Sequence, residues 1–102
     1  MYKSKRSKAC DISQKVKMRV WERDKGRCIM CGSYYAMPNA HYIPRSHGGL
    51  GIEENVVTLC LDCHHKTDNS CERATRLNFI KEYLQSYYED WNEEKLKYNR
   101  WK

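Results

Sequence analysis

Two cysteine pairs, Cys28-x-x-Cys31 and Cys60-x-x-Cys63, constrain this 102-residue chain more than any other feature. A two-residue gap lets both thiolates of a tight turn reach one tetrahedral ion, so two such knuckles together make a zinc-type site. The 28 residues between them exceed the roughly 15–20 of a plain zinc ribbon, so a sizeable insert lies between the knuckles. A redox dithiol is the competing reading of either pair alone, and the presence of two pairs without a thioredoxin-like βαβ pattern weighs against it. Cys10 and Cys71 match neither knuckle and read as free thiols.

Composition shows why a metal is needed. Leu, Ile, Val and Phe make sixteen of 102 residues, below the roughly 20% under which charged chains tend to stay disordered. Eight Tyr and three Trp supply amphipathic packing surface, and structural zinc contributes on the order of 10–16 kcal/mol in small peptide systems. The expectation is one folded domain with a thin core that a metal holds together. No run approaches about 18 apolar residues, and the start MYKSKRSKAC has no apolar stretch behind its charges, so neither a membrane span nor a secretory signal is read. The chain is expected in the cytoplasm, where cysteines serve as metal ligands more often than as disulfides.

Charge is uneven. Residues 1–27 carry ten Lys/Arg against three Asp/Glu, and the remainder nine against ten. A positive end suits a polyanion, because neutralised phosphates release condensed counterions. Residues 1–10 read as a basic arm, with a solubilising tail as the alternative. Asp11-Ile12-Ser13-Gln14 has the form of a capping box with Asp11 as N-cap, and Ile12, Val16 and Val20 recur at helical spacing. A helix over about 13–24 follows, closed by Gly26 as its C′ glycine. Lys15, Arg19, Arg23 and Arg27 step by four along it, either as a stripe for nucleic acid or as an ordinary solvated face. Short strands fit near 40–43 and 56–59, the second carried by Val56-Val57-Thr58. A helix over about 60–68 comes next, then a long amphipathic one marked by Leu77, Ile80, Leu84, Tyr87 and Trp91, its stripe serving the core or else a dimer seam.

Between and just after the knuckles stand Ala40-His41-Tyr42-Ile43-Pro44-Arg45-Ser46-His47-Gly48-Gly49, then Glu54-Asn55-Val56, then Cys63-His64-His65. In this order and spacing the chain resembles the HNH endonuclease family over about residues 19–68. The resemblance implies an α+β fold, a small zinc-stabilised ββα-metal (His-Me finger) domain with flanking N- and C-terminal helices. That single domain would span 11–102, with a zinc/ββα core over about 19–70 and a helical extension over 72–102.

What the family does follows residue by residue. His41 falls on the general base, an imidazole whose unperturbed pKa of about 6.5 suits the task. Asn55 falls on the Asn that ties the loop between the strands and so holds the base. His64 falls on the ligand of a catalytic divalent ion such as Mg²⁺, Mn²⁺ or Ni²⁺, which stabilises charge at the scissile phosphate. Asp68, four residues on, would share one helix face and that ion, the alternative being an exposed carboxylate near a helix end. Zinc on Cys28, Cys31, Cys60 and Cys63 would be structural. Ala40 departs from the family, which commonly has Asp or His there to share the metal. His65 points away from His64, and His47 reads as a turn residue. Arg45 and Lys66 are expected at phosphates, together with Arg19, Arg23 and Arg27, in a mode that fixes register without reading sequence.

The activity so implied is metal-dependent hydrolysis of DNA phosphodiesters, nicking or weakly sequence-specific. The stretch over 83–96 is similar to the tail of small HNH proteins of phages and prophages, which implies a bacterial host cell and a terminase or packaging partner. DNA is the expected partner and a monomer the expected state. Two rivals stand beside the enzyme: a zinc-framed module that grips DNA without cutting, motivated by Ala40, and an interaction protein whose aromatic C-terminal helix docks a packaging or replication partner.

Overall fold

Serine hydroxyls set where the first two helices begin. In the computed structural model, which describes residues 4–98, Ser4 Oγ accepts from the Ser7 N–H and opens α1 (Lys5–Cys10). Ser13 Oγ accepts from the Val16 N–H and opens α2 (Gln14–Arg23). The N-cap is therefore Ser13 and not Asp11, whose own N–H bonds back to Ser7 and Lys8 as the C-cap of α1. Residues 5–10, read from sequence as part of a basic arm, are helical and bury Cys10. α2 closes in a Schellman arrangement, with the N–H groups of Lys25 and Gly26 bonded to the Glu22 and Trp21 carbonyls. The left-handed C′ position is Lys25, with Gly26 following it in the same region (φ 58° and 67°).

β1 (Ala36–His41) and β2 (Val56–Cys60) form a two-stranded antiparallel sheet. Ala36 lies opposite Cys60 and Met37 opposite Leu59, but Ala40 then lies opposite Val57 and His41 opposite Val56. β1 thus carries one extra residue, a bulge at Pro38-Asn39 facing Thr58, where Pro38 has no N–H to lose from the ladder. β1 starts four residues before the stretch read from sequence, because Ala36-Met37-Pro38-Asn39 holds no β-branched residue and one proline. β2 runs straight into α3 (Leu61–Asn69), and α4 (Arg73–Tyr87) follows. Ile80 and Leu84 of α4 are fully buried against Ala36, Ala40, Val57 and Leu59. The apolar stripe of α4 therefore serves the core, while Tyr87 stays exposed and Trp91 packs from beyond the helix end.

A sheet of two strands has no interior, so the outer edge of β2 needs partners other than a strand. Arg23 Nη2 donates to the Val56 carbonyl (2.6 Å), Asp24 Oδ2 accepts from the Thr58 N–H (2.8 Å), and the Ile29 N–H donates to the Thr58 carbonyl (3.1 Å). Arg23 also holds Asp24 through two bonds (2.8 and 3.1 Å), the Glu53 carbonyl (2.6 Å) and the Tyr88 hydroxyl (3.1 Å). Tyr83 donates to Asp24 Oδ1 (2.6 Å), and the rings of Tyr83, Tyr87 and Tyr88 surround the guanidinium at 5.7–5.9 Å. Burial opposes the charge, yet bonding and attraction to Asp24 outweigh it and raise the Arg23 pKa above its usual value. Arg23 is accordingly removed from the basic stripe, since its side chain is only 8% exposed.

Asp24→Ala strips partners from a buried guanidinium and from the Thr58 N–H. In urea unfolding of the zinc-loaded protein it should cost about 3–5 kcal/mol, against under about 1 kcal/mol for Arg19→Ala at the exposed Arg19–Glu53 pair. Equal losses would contradict this role for Asp24.

Candidate active site and metal centre

The first knuckle is a turn in which the Cys28 N–H bonds to the Ser33 carbonyl (2.8 Å) and the Gly32 N–H to the Cys28 carbonyl (2.9 Å). The second is a strand-to-helix junction, where Cys60 ends β2 and its Sγ accepts from the Cys63 N–H (3.3 Å) as the N-cap of α3. The four Sγ atoms all lie within 4.8 Å of one another, and those of Cys31 and Cys60 are 3.6 Å apart. Thiolates bound tetrahedrally to zinc at about 2.3 Å stand about 3.8 Å apart, so the donor set fits that ion. Among the described residues no other group of three or more His, Cys, Asp or Glu is close enough to hold a metal. At Cys28 burial is outweighed by backbone hydrogen bonds, first that from Cys31, and the thiol falls to about 7. Burial, followed by the Cys60 and Cys28 thiols, pushes Cys63 up to about 12. Cys10 and Cys71 are both free, the first buried and the second exposed.

His41 ends β1, with Nε2 2.9 Å from the Cys10 carbonyl. A carbonyl can only accept, so Nε2 carries the proton and Nδ1 keeps its lone pair. Arg45 Nη1 donates to the same carbonyl (2.9 Å) while Nη2 pairs with Asp11 (2.8 Å), which pins the end of α1 to the loop after β1. Gly51 permits this approach, because a Cβ there would occupy the place of the Asp11 carbonyl. Burial lowers the His41 pKa against the pull of the Cys10 carbonyl, and the charges of Arg45 and His64 lower it further. The imidazole is therefore neutral at pH 7.

Asn55 is fully buried behind His41. Its Oδ1 accepts from the Ile43 N–H (2.8 Å), and its Nδ2 donates to the carbonyls of Ile43 (3.2 Å) and Leu50 (2.8 Å). It ties the loop between the strands at both ends. On α3, His64 Nε2 and Asp68 Oδ2 lie 3.5 Å apart on one partly exposed face. His65 turns away to Asn69 (3.4 Å), and His47 is exposed in a 3-10 turn over Arg45–His47. Ala40 packs in the core opposite Val57, so that position presents no donor to an ion.

Of the basic residues singled out, Arg45 stands beside His41, whereas Lys66 pairs with Asp62 (3.2 Å) on the side of α3 away from the His64–Asp68 pair. Arg19 is exposed and paired with Glu53 (3.4 Å), and Arg27 is exposed with its guanidinium over the Tyr34 ring (4.9 Å). Arg27 lies beyond the end of α2 at Arg23 and past the reversal at Lys25-Gly26, so of the expected stripe only Lys15, also exposed, and Arg19 remain on the helix. The Cys10 carbonyl was not legible as a site group because a backbone acceptor has no side-chain signature, and Asp11 was not because its partner Arg45 is distant in sequence.

The HNH endonuclease family pattern matches residues 28–70. Among curated proteins the chain is similar to Anaredoxin from Nostoc sp. (strain PCC 7120), with 33% identity over 54 residues that span 52% of this chain and 71% of that protein. No solved structure matches the chain closely enough to count as a relative.

Two outcomes are expected. The purified protein should carry one zinc per chain, and a chelator strong enough to remove it should abolish the cooperative unfolding transition followed by circular dichroism; a metal-free chain that unfolds as before would remove zinc from the frame. By NMR the His41 ring should titrate below the ordinary value of about 6.5. Because the unfolded chain then binds that proton more readily, the stability this ring contributes is complete above about 6.5 and is lost as pH falls through its folded value.

Proposed function

We propose that this chain, which belongs to the HNH endonuclease family, is a metal-dependent DNA endonuclease that nicks or cuts with little sequence preference. The observation that carries the reading is the neutral His41 ring, anchored through Nε2–H with Nδ1 free to accept a proton and within electrostatic reach of His64. In this reaction His41 Nδ1 takes the proton of a water that attacks the phosphodiester. The Cys10 carbonyl keeps its bond to Nε2–H throughout, so the ring gains charge without losing its orientation. Arg45 holds that carbonyl in place and adds positive charge where the anionic backbone must lie. Asn55 fixes the loop that carries Arg45.

His64 and Asp68 would hold the divalent ion. Two protein ligands leave positions for water and phosphate oxygens, as ions of the Mg²⁺ type require. When bound, such an ion stabilises charge on the phosphate and the leaving oxygen. Phosphate contacts such as Arg45 would make fix register without reading bases, which supports weak specificity. The zinc of the four cysteines belongs to the frame and is distinct from that ion.

A second reading, a zinc-framed module that binds DNA without cutting it, draws on the burial of Ala40 and on a ligand pair that has no third protein donor among the described residues. Plasmid nicking separates the two. Wild type supplied with Mg²⁺, Mn²⁺ or Ni²⁺ should convert supercoiled DNA to open circles, and His41→Ala with equal zinc content should be slower by about 100-fold or more. Retained DNA affinity with no turnover in any of these ions would establish the second reading instead.

A further inference from the structure

The solvent side of β1 leads away from His41 over surface that catalysis does not use. Tyr35, Met37, Asn39 and His41 alternate there with the buried Ala36, Pro38 and Ala40. Tyr35 is 93% exposed and Met37 60%, and beside them α2 presents Met18 at 57% and Trp21 at 41%. Met18, Trp21, Met37 and Pro38 line one open hollow with Lys17 on its rim, Glu22 being the carboxylate on its wall. Lys17 also lines the neighbouring hollow that contains Asn39 and His41. The apolar hollow and the candidate active site are thus two ends of one groove joined at a lysine.

We propose that this groove holds unpaired nucleotides next to the phosphate that His41 attacks, so that the substrate is DNA with a single-stranded segment, such as a flap, a gap or a loop. This rests on the nuclease reading and deepens it. Exposed aromatic and thioether groups gathered beside a positive rim are rarely left without a partner. Duplex bases hide their faces in the stack, whereas unpaired bases offer those faces to Trp, Tyr and Met and their phosphates to lysine. Lys17, which lines both hollows, and Arg45 beside His41 supply the charge complementarity, Glu22 and Asp11 being the carboxylates of the same lining, and the adjacency of the two hollows brings the same strand to the base. Tyr35 would serve as an outer stacking platform and Met37 as the floor. Trp21 also braces the turn after α2, its ring lying against Gly26, so Tyr35 and Met37 are the positions to vary.

Full-length, zinc-loaded protein without added divalent ion is titrated into a labelled oligothymidylate of about 12 nucleotides and into a blunt-ended duplex of two complementary strands, with anisotropy as the readout. The double variant Tyr35→Ala/Met37→Ala should bind the oligothymidylate about ten-fold more weakly than wild type and change little towards the duplex. With the ion restored, wild type should cut splayed-arm DNA faster than continuous duplex, and the double variant should lose that advantage. Unchanged single-strand affinity, or an equal loss towards both DNAs, overturns the proposal. So does a variant that dissociates a dimer in sedimentation while binding DNA as before, since the occupant is then a second copy of the chain. Single-strand binding that depends on Tyr35 and Met37 in a protein that cuts no DNA supports the occupant while removing the nuclease reading.

Discussion

The hydrogen bonds that Arg23 and Asp24 make to the outer edge of β2 are the constraint from which the rest of the structure hangs. β2 presents an N–H and two carbonyls on a side where, among the described residues, no third strand lies, and the two side chains with Ile29 answer them in the manner of a strand. β2 in turn supplies the ladder for β1, carries Cys60 into the metal centre and launches α3 with its His64–Asp68 pair. A buried pair of charges gains little by itself. Here each charge is bonded to backbone that would otherwise be orphaned, and the tyrosines of α4 and the turn after it exclude water from both.

The same economy explains how a chain poor in aliphatic residues stays folded. Tyr83 and Tyr88 bond to the Arg23–Asp24 pair, Tyr42 donates to Glu93 (2.7 Å), and Trp91 donates to the Glu54 carbonyl (2.7 Å) while meeting Tyr42 edge to face at 5.7 Å. Each ring buries apolar surface and places a polar tip where a backbone or carboxylate group needs one. The C-terminal segment closes the molecule by bonding Leu96 to Leu50 and Tyr98 to Gly48, next to the loop that Asn55 ties.

Much of this was legible in the residues, and what was not has particular causes. The knuckle spacing foretold a convergent cysteine set, and His41, Asn55 and His64 fell on ordered positions between and after the knuckles. Asn55 was assigned to loop-tying, and its side chain bonds to the backbone of Ile43 and Leu50. Arg23 was misread because helical spacing says which residues share a face and not whether that face is solvated; its partners Val56, Glu53 and Tyr88 lie far away in sequence. The N-cap of α2 was displaced from Asp11 to Ser13 because nothing local announced a six-residue helix ending at Cys10. β1 was placed late because its first four residues are chosen for the bulge and the core rather than for strand propensity.

The group that orients His41 is a peptide carbonyl at residue 10, outside the stretch over 28–70 that matches the family. No substitution can delete a carbonyl, so this part of the site is insensitive to the identity of the residue that bears it and sensitive only to where the backbone runs. The ring's aim is therefore stored in the path of residues 4–11, held by the close approach at Gly51 and the clasp of Arg45. A zinc-folded core freed of that segment would keep every side chain of the motif and lose the direction in which one of them points.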